Sequence, residues 1–241
     1  MLTTTILTSL FGLFYAGPQI LPFPGAVPGK VSAGLTFVSS VCGPASPGSN
    51  GGASAAINTV GANFLVLAAA DDHSGPTVSD SLGNTWTPLT GANPANYLNI
   101  WYAQSPVVGA SQTFSVAGSG QYPAFCAMAF SGMVTAGVFE SGTWSYSGNS
   151  TNTVQPAPIA PSSGHNLVIT GDGFYCSGQT FAVSSPFSAA IGLNYASGIN
   201  YGLHMSYLIQ SGSASVSPVW TLSPGPPACS QGVVVAAFQG Q

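Results

Sequence analysis

NFLVLAAA, residues 63–70, is a short apolar run opened by one Asn, and NLVITGDG, residues 166–173, answers it about a hundred residues later. Runs of this length bounded by Gly, Ser and Asn read as strands, because a helix needs a longer stretch with apolar residues every three or four positions. Working outward, LNIWYAQ (98–104) is answered by HMSYLIQ (204–210), and PAFCAMAFSG (123–132) by SQGVVVAAFQG (230–240). Each half therefore holds an apolar strand, then an aromatic-rich strand, then an Ala/Val-rich strand closed by Phe-Ser-Gly or Phe-Gln-Gly. Setting Phe130 against Phe238 places Cys126 opposite Val234.

The remaining chain gives the same signal. Strands are expected over 35–41, 55–60, 64–70, 76–80, 85–89, 98–103, 113–117 and 124–130, then over 167–170, 180–183, 189–195, 202–209, 216–222 and 232–238. No window sustains a 3.6-residue apolar period, and the 31 Gly and 19 Pro punctuate many brief segments. The fold class is all-β, a two-sheet antiparallel sandwich. Its body is expected over 31–241, built from halves of about 31–140 and 141–241. The two halves are expected to complete one sandwich rather than two lobes, since each looks too short of strands to shield both faces of its own sheet.

Residues 2–16, LTTTILTSLFGLFYA, resemble the apolar part of a secretion signal. Against that, no Lys or Arg precedes the run, a cut after Ala16 would set bulky Phe14 two positions before it, and Met1 is retained. The run is also too short and too Thr-rich for a membrane span, which takes about 20 apolar residues. It is expected to remain as an assembly arm carrying Leu7, Leu10, Phe11, Leu13, Phe14 and Tyr15. Pro18, Pro22, Pro24 and Pro28 then make an extended connector, so that 1–30 reaches from the body to a neighbouring subunit.

Charge is the strongest compositional fact. One Lys and five acids, Lys30, Asp71, Asp72, Asp80, Glu140 and Asp172, are the whole formal charge of 241 residues, whereas an ordinary domain is about a quarter charged. A net charge of −4 with no Arg excludes binding to nucleic acid or anionic lipid by counterion release. A chain 45% hydrophobic, with 13 Phe and 9 Tyr, can fill a core and is not a disordered polymer. Its outside must be wetted by Ser, Thr, Asn, Gln and Gly. Much of that outside is expected to touch companions, as homo-oligomer or with other structural subunits.

Cys42, Cys126, Cys176 and Cys229 show neither CxxC pairing nor metal-finger spacing. Cys126, inside an apolar strand, reads as a buried thiol. Cys176 and Cys229 flank strands beside Gly and Pro, where a disulfide is possible but its partner is open. Asp71, Asp72, His73 and Asp80 could hold Ca²⁺, yet Asp80-Ser81-Leu82-Gly83-Asn84 is better turn material, with Asp71 and Asp72 in an exposed loop. Glu140 and Asp172 have no companion acid at a glycosidase spacing, no GxSxG turn precedes a helix, and His73, His165 and His204 are scattered. No catalytic residue, cofactor or metal is expected.

Trp101, Tyr102, Trp144, Tyr146, Tyr195 and Tyr201 are candidates for stacking on sugars. Trp101 and Trp220 lie within strands and belong to the core. Trp144 and Tyr146, in the loop-like GTWSYSGNS (142–150), are the better contact for a glycan or partner. Asn149-Ser150-Thr151 is a formal glycosylation sequon.

The run TVSDSLGNTWTPL (77–89), followed by LNIWYAQSPVVGASQTFSVAG (98–118) and AMAFSG (127–132), resembles a family of bacterial secreted proteins and phage virion proteins. SGHNLVITGDGF (163–174) and VVVAAFQG (233–240) fit the same pattern, so the resemblance spans roughly 34–240. It implies a jelly-roll or concanavalin-like sandwich and brings no catalytic residues with it. The chain is poorer in charge than typical members and carries the apolar arm in addition. Together these readings point to a structural virion protein, such as a capsid decoration or cement protein, with a secreted or surface carbohydrate-binding module as the alternative.

Overall fold

The computed structural model describes residues 34–44, 50–71, 76–89, 98–117, 123–147, 152–162, 164–176, 180–194, 201–223 and 230–241. The apolar arm, with Leu7, Leu10, Phe11, Leu13, Phe14 and Tyr15, lies outside these residues, as do the connector, Lys30, Asp72, His73, Tyr195 and the 149–151 sequon. The described chain is all-β. In the first half run β1 (Thr36–Gly43), β2 (Gly51–Ala53), β3 (Phe64–Ala70), β4 (Thr77–Asp80), β5 (Thr87–Pro88), β6 (Asn99–Gln104), β7 (Phe114–Ala117) and β8 (Ala124–Ser131). In the second run β9 (Phe139–Ser147), β10 (Thr153–Val154), β11 (His165–Tyr175), β12 (Thr180–Val183), β13 (Ile191–Asn194), β14 (Tyr201–Ser211), β15 (Trp220–Ser223) and β16 (Ser230–Gln239).

Every described ladder is antiparallel, and the two halves follow one course. A five-stranded sheet β1-β8-β3-β6-β5 is repeated as β9-β16-β11-β14-β13, and a three-stranded sheet β2-β7-β4 as β10-β15-β12. The two five-stranded sheets face each other. Phe64, Val66 and Ala68 of β3 and Met128 and Phe130 of β8 share one buried cluster with Leu167 and Ile169 of β11, Met205 of β14 and Phe238 of β16. The rings of Phe64 and Phe238 lie 4.9 Å apart across this layer.

Alternate residues turn outward, because successive side chains of a strand point to opposite faces. Leu65 and Leu67 of β3 and Phe125 of β8 pack on Phe114 and Val116 of β7. Val168 and Val235 pack on Ile159 and Val216, and Val233 on Trp220 of β15. The two-sheet sandwich thus stands at the centre, and each of its outer faces carries a three-stranded sheet. The sequence reading expected neither half to have strands enough to cover a second face; β2, β4 and β7, and their counterparts β10, β12 and β15, supply that cover. Burial on both faces is why NFLVLAAA shows no polar alternation. Each large apolar side chain so buried contributes about 1.5–3 kcal/mol, and all of β3 is buried.

Several sequence expectations need correction. The segment 142–150 was expected to be a loop, but residues through Ser147 belong to β9, paired residue by residue with β16. Its Ser and Gly content hid a period of two, with Trp144 and Tyr146 on one face and Thr143, Ser145 and Ser147 on the other. The strand expected at 55–60 is instead β2 at 51–53, with Ile57 making only an isolated bridge to Gln112. Cys126 is not a free thiol. It faces Cys42 directly across the β1–β8 ladder, and the two form a disulfide with Cα atoms 4.0 Å apart. Cys176 is also disulfide-bonded, and no cysteine among the described residues is free.

The repeat register also moves by one residue. Leu67 pairs with Trp101 and Val66 with Tyr102 in the first half, while Thr170 pairs with Ser206 and Ile169 with Tyr207 in the second. LNIWYA therefore corresponds to LHMSYL from Leu203, not to HMSYLI from His204, and Trp101 corresponds to Ser206.

Candidate functional site

Asp80 ends β4, and its carboxylate is the hub of a dense turn. Oδ1 accepts from the Leu82 amide at 2.8 Å, from Asn84 Nδ2 at 3.1 Å and from Gln112 Nε2 at 3.1 Å, and Oδ2 accepts from Trp86 Nε1 at 2.9 Å. Thr59 donates to Gln112 Oε1 at 2.6 Å, fixing which way that amide points. Asn84 clamps the far loop, accepting from the Val107 amide at 2.6 Å and donating to its carbonyl at 2.9 Å. Gly83 closes the turn at φ +74°, a conformation side chains disfavour. The DSLGNTW motif is thus a structural turn. The carboxylate already accepts from four donors, three of them at Oδ1, and no cluster of three metal-ligating side chains occurs among the described residues. Asp71, expected in an exposed loop, is buried at the end of β3.

Trp144 and Tyr146 project from the same face of β9, the last strand of its sheet, and are 39% and 41% exposed. Glu140, near the start of the same strand, accepts from the hydroxyl of Ser162 at 2.6 Å and from its amide at 3.2 Å. Across the described residues, Asp71 and Asp172 are buried and Asp80 and Glu140 half-buried, so no Asp, Glu, Lys or Arg side chain is exposed. Trp101 and Trp220 are buried, as expected of core residues. No described helix is long and apolar enough to cross a membrane.

The second half holds chemistry that the sequence reading passed over. Asp172 and His204 are direct partners across the β11–β14 ladder, so their side chains share the outer face of the sheet. Neither Asp172 oxygen has a hydrogen-bond partner, and neither does His204 Nδ1. Burial pushes the Asp172 carboxyl well above the usual range and lowers the His204 imidazole to about 4. Beside His204 a cavity of about 740 Å³ opens between β12, the segment 184–190 and β13–β14, walled by Phe181, Val183, Ser188, Ala190 and Gly192 among others. Among the described residues, no Asp, Glu, Lys or Arg lines it.

The two shifts have opposite effects on stability. Native Asp172 keeps its proton after the unfolded chain, near 3.9, has lost it, so its contribution is present at low pH and falls as pH rises toward its raised pKa. Native His204 stays neutral where the unfolded chain binds a proton, so its contribution is present above 6.5 and is lost as pH falls toward about 4. The slopes oppose each other between about 4 and 6.5. Asp172→Asn should leave the His204 slope alone, giving a melting temperature that climbs with pH across that window and exceeds wild type at pH 7. Thermal unfolding across a pH series checks this; a variant less stable than wild type at pH 7 would contradict the assignment. Comparison with protein-family models, curated proteins and solved structures found no match for this chain.

Proposed function

We propose that the chain is a structural subunit of an assembled particle, a phage capsid-associated decoration or cement protein or another virion protein, acting through subunit contacts. The observation that carries this reading is the absence of any exposed Asp, Glu, Lys or Arg among the described residues. Faces without ions meet with no ionic desolvation cost and no like-charge repulsion. The same faces would leave a solitary monomer poorly protected against association. The disulfides fit a particle or cell exterior, where cystines persist. In this reading the arm bearing Leu10, Phe11 and Leu13 docks on a neighbour or adds a strand to its sheet, and many weak contacts sum to a stable lattice. Sedimentation velocity and electron microscopy of the full chain should show repeated copies in a closed shell or filament. A freely soluble monomer at high concentration would overturn the proposal.

One observation favours a second reading, a secreted or surface carbohydrate-binding module. Trp144 and Tyr146 stand two residues apart on one face of an edge strand, about 7 Å along it, as a pair of sugar-stacking rings would. Saturable binding on a glycan array that Trp144→Ala abolishes would support this reading, and a blank array would remove it.

A further inference from the structure

The two halves differ at a buried position of the aromatic-rich strand. In the first, Trp101 fills the layer between the five- and three-stranded sheets and is only 9% exposed, in one cluster with Phe114 and Val116. In the second, that position is Ser206, fully buried, its hydroxyl donating to the Ser188 carbonyl at 2.7 Å and lying 3.1 Å from the Ser188 hydroxyl. An indole is thus exchanged for a hydroxyl whose partner, Ser188, lines the 740 Å³ cavity. His204, two residues along β14 on the same face, lines it too. The volume falls within the range of small-molecule sites.

The walls define what would fit. The His204 ring lies flat across Gly192, where any Cβ would overlap it. Phe181 stacks on that ring with centroids 4.7 Å apart and planes 30° apart, and Phe174 adjoins it at 5.3 Å and 13°. These rings hold the imidazole in place from the sheet side, while Ala182, Ala189 and Ala190 keep the neighbouring walls low. Thr180, Ser185 and Ser188 supply hydroxyls, and the buried Nδ1 of His204 is without a partner. With no ion in the lining, a carboxylate, phosphate or ammonium would be desolvated without compensation.

We propose that this cavity binds an uncharged planar aromatic molecule carrying an N–H or hydroxyl, of the indole or phenol class. The ring packs among Phe181, Phe187 and Leu193, and its polar atom is met by the hydroxyls of the lining. This site is independent of particle assembly.

Saturation-transfer NMR of the full chain with indole at about 1 mM, the weak end of small-ligand affinity, tests the proposal. Indole should receive magnetisation and shift the His204 ring protons, while indole-3-acetate and tryptamine should bind at least tenfold more weakly. Ser206→Trp, which restores the residue of the first half, should lose the signal. Ala190→Phe narrows the cavity from its wall and serves if the first variant does not fold. No transfer to indole in the wild type would overturn the proposal, as would binding unchanged in the folded variants or charged analogues that bind equally well.

Discussion

Replacing Cys42 and Cys126 together by Ala is expected to lower the unfolding free energy by about 4 kcal/mol. The bridge spans 84 residues of sequence, and closing a loop of that size removes roughly 4–5 kcal/mol of chain entropy from the unfolded state. At about 2–4 °C per kcal/mol for a chain of this length, the melting temperature should fall by ~8–16 °C. The cross-link also ties β1, an outermost strand, to β8, which lies next to the centre of its sheet. Amide exchange in β1 should therefore accelerate more than exchange in β3. Calorimetry of the double variant, with hydrogen exchange alongside, checks both points. A shift below about 3 °C would mean that the unfolded chain is already compact enough for the bridge to constrain little.

Asp80→Ala should cost about 3 kcal/mol, or ~6–12 °C. Four donors converge on this carboxylate, and hydrogen bonds to a charged acceptor contribute roughly 1.5–3 kcal/mol each without adding fully. The loss is compounded because the half-buried Trp86 Nε1 and the fully buried Gln112 amide would lose this acceptor. Trp86→Phe, which removes one donor, should cost about 1 kcal/mol. If the carboxylate instead held a cation, chelation would lower the wild-type melting temperature; the turn assignment expects no change on adding EDTA. Thermal unfolding of both variants, with and without chelator, separates the two accounts.

Strand positions were legible wherever burial on both faces gave an unbroken apolar run, as at 64–70 and 124–130. They were illegible where strands present Ser, Thr and Gly, as in β9, because composition there matches a loop and only the two-residue period betrays the strand. The four-layer arrangement could not be read, since nothing local in TVSD or TFAV says that those residues close a second face. The disulfide escaped because Cys126 sits in an Ala-rich strand with no visible partner until β1 lies beside it. The exchange of Trp101 for Ser206 was hidden by a single slip of register. Aligning Trp101 with Tyr207 sets aromatic against aromatic, whereas the ladders set Trp101 against Ser206.

Packing the two five-stranded sheets together has a wider consequence. Severed from its sibling, either half would show water a greasy wall of the Phe64, Val66 and Met128 kind and would be driven to find a twin. Fusion of both copies into one polypeptide frees them from the rule that binds identical subunits, where every substitution is made twice. One copy can keep its tryptophan as mortar while the other sets a small hydroxyl at the matching position.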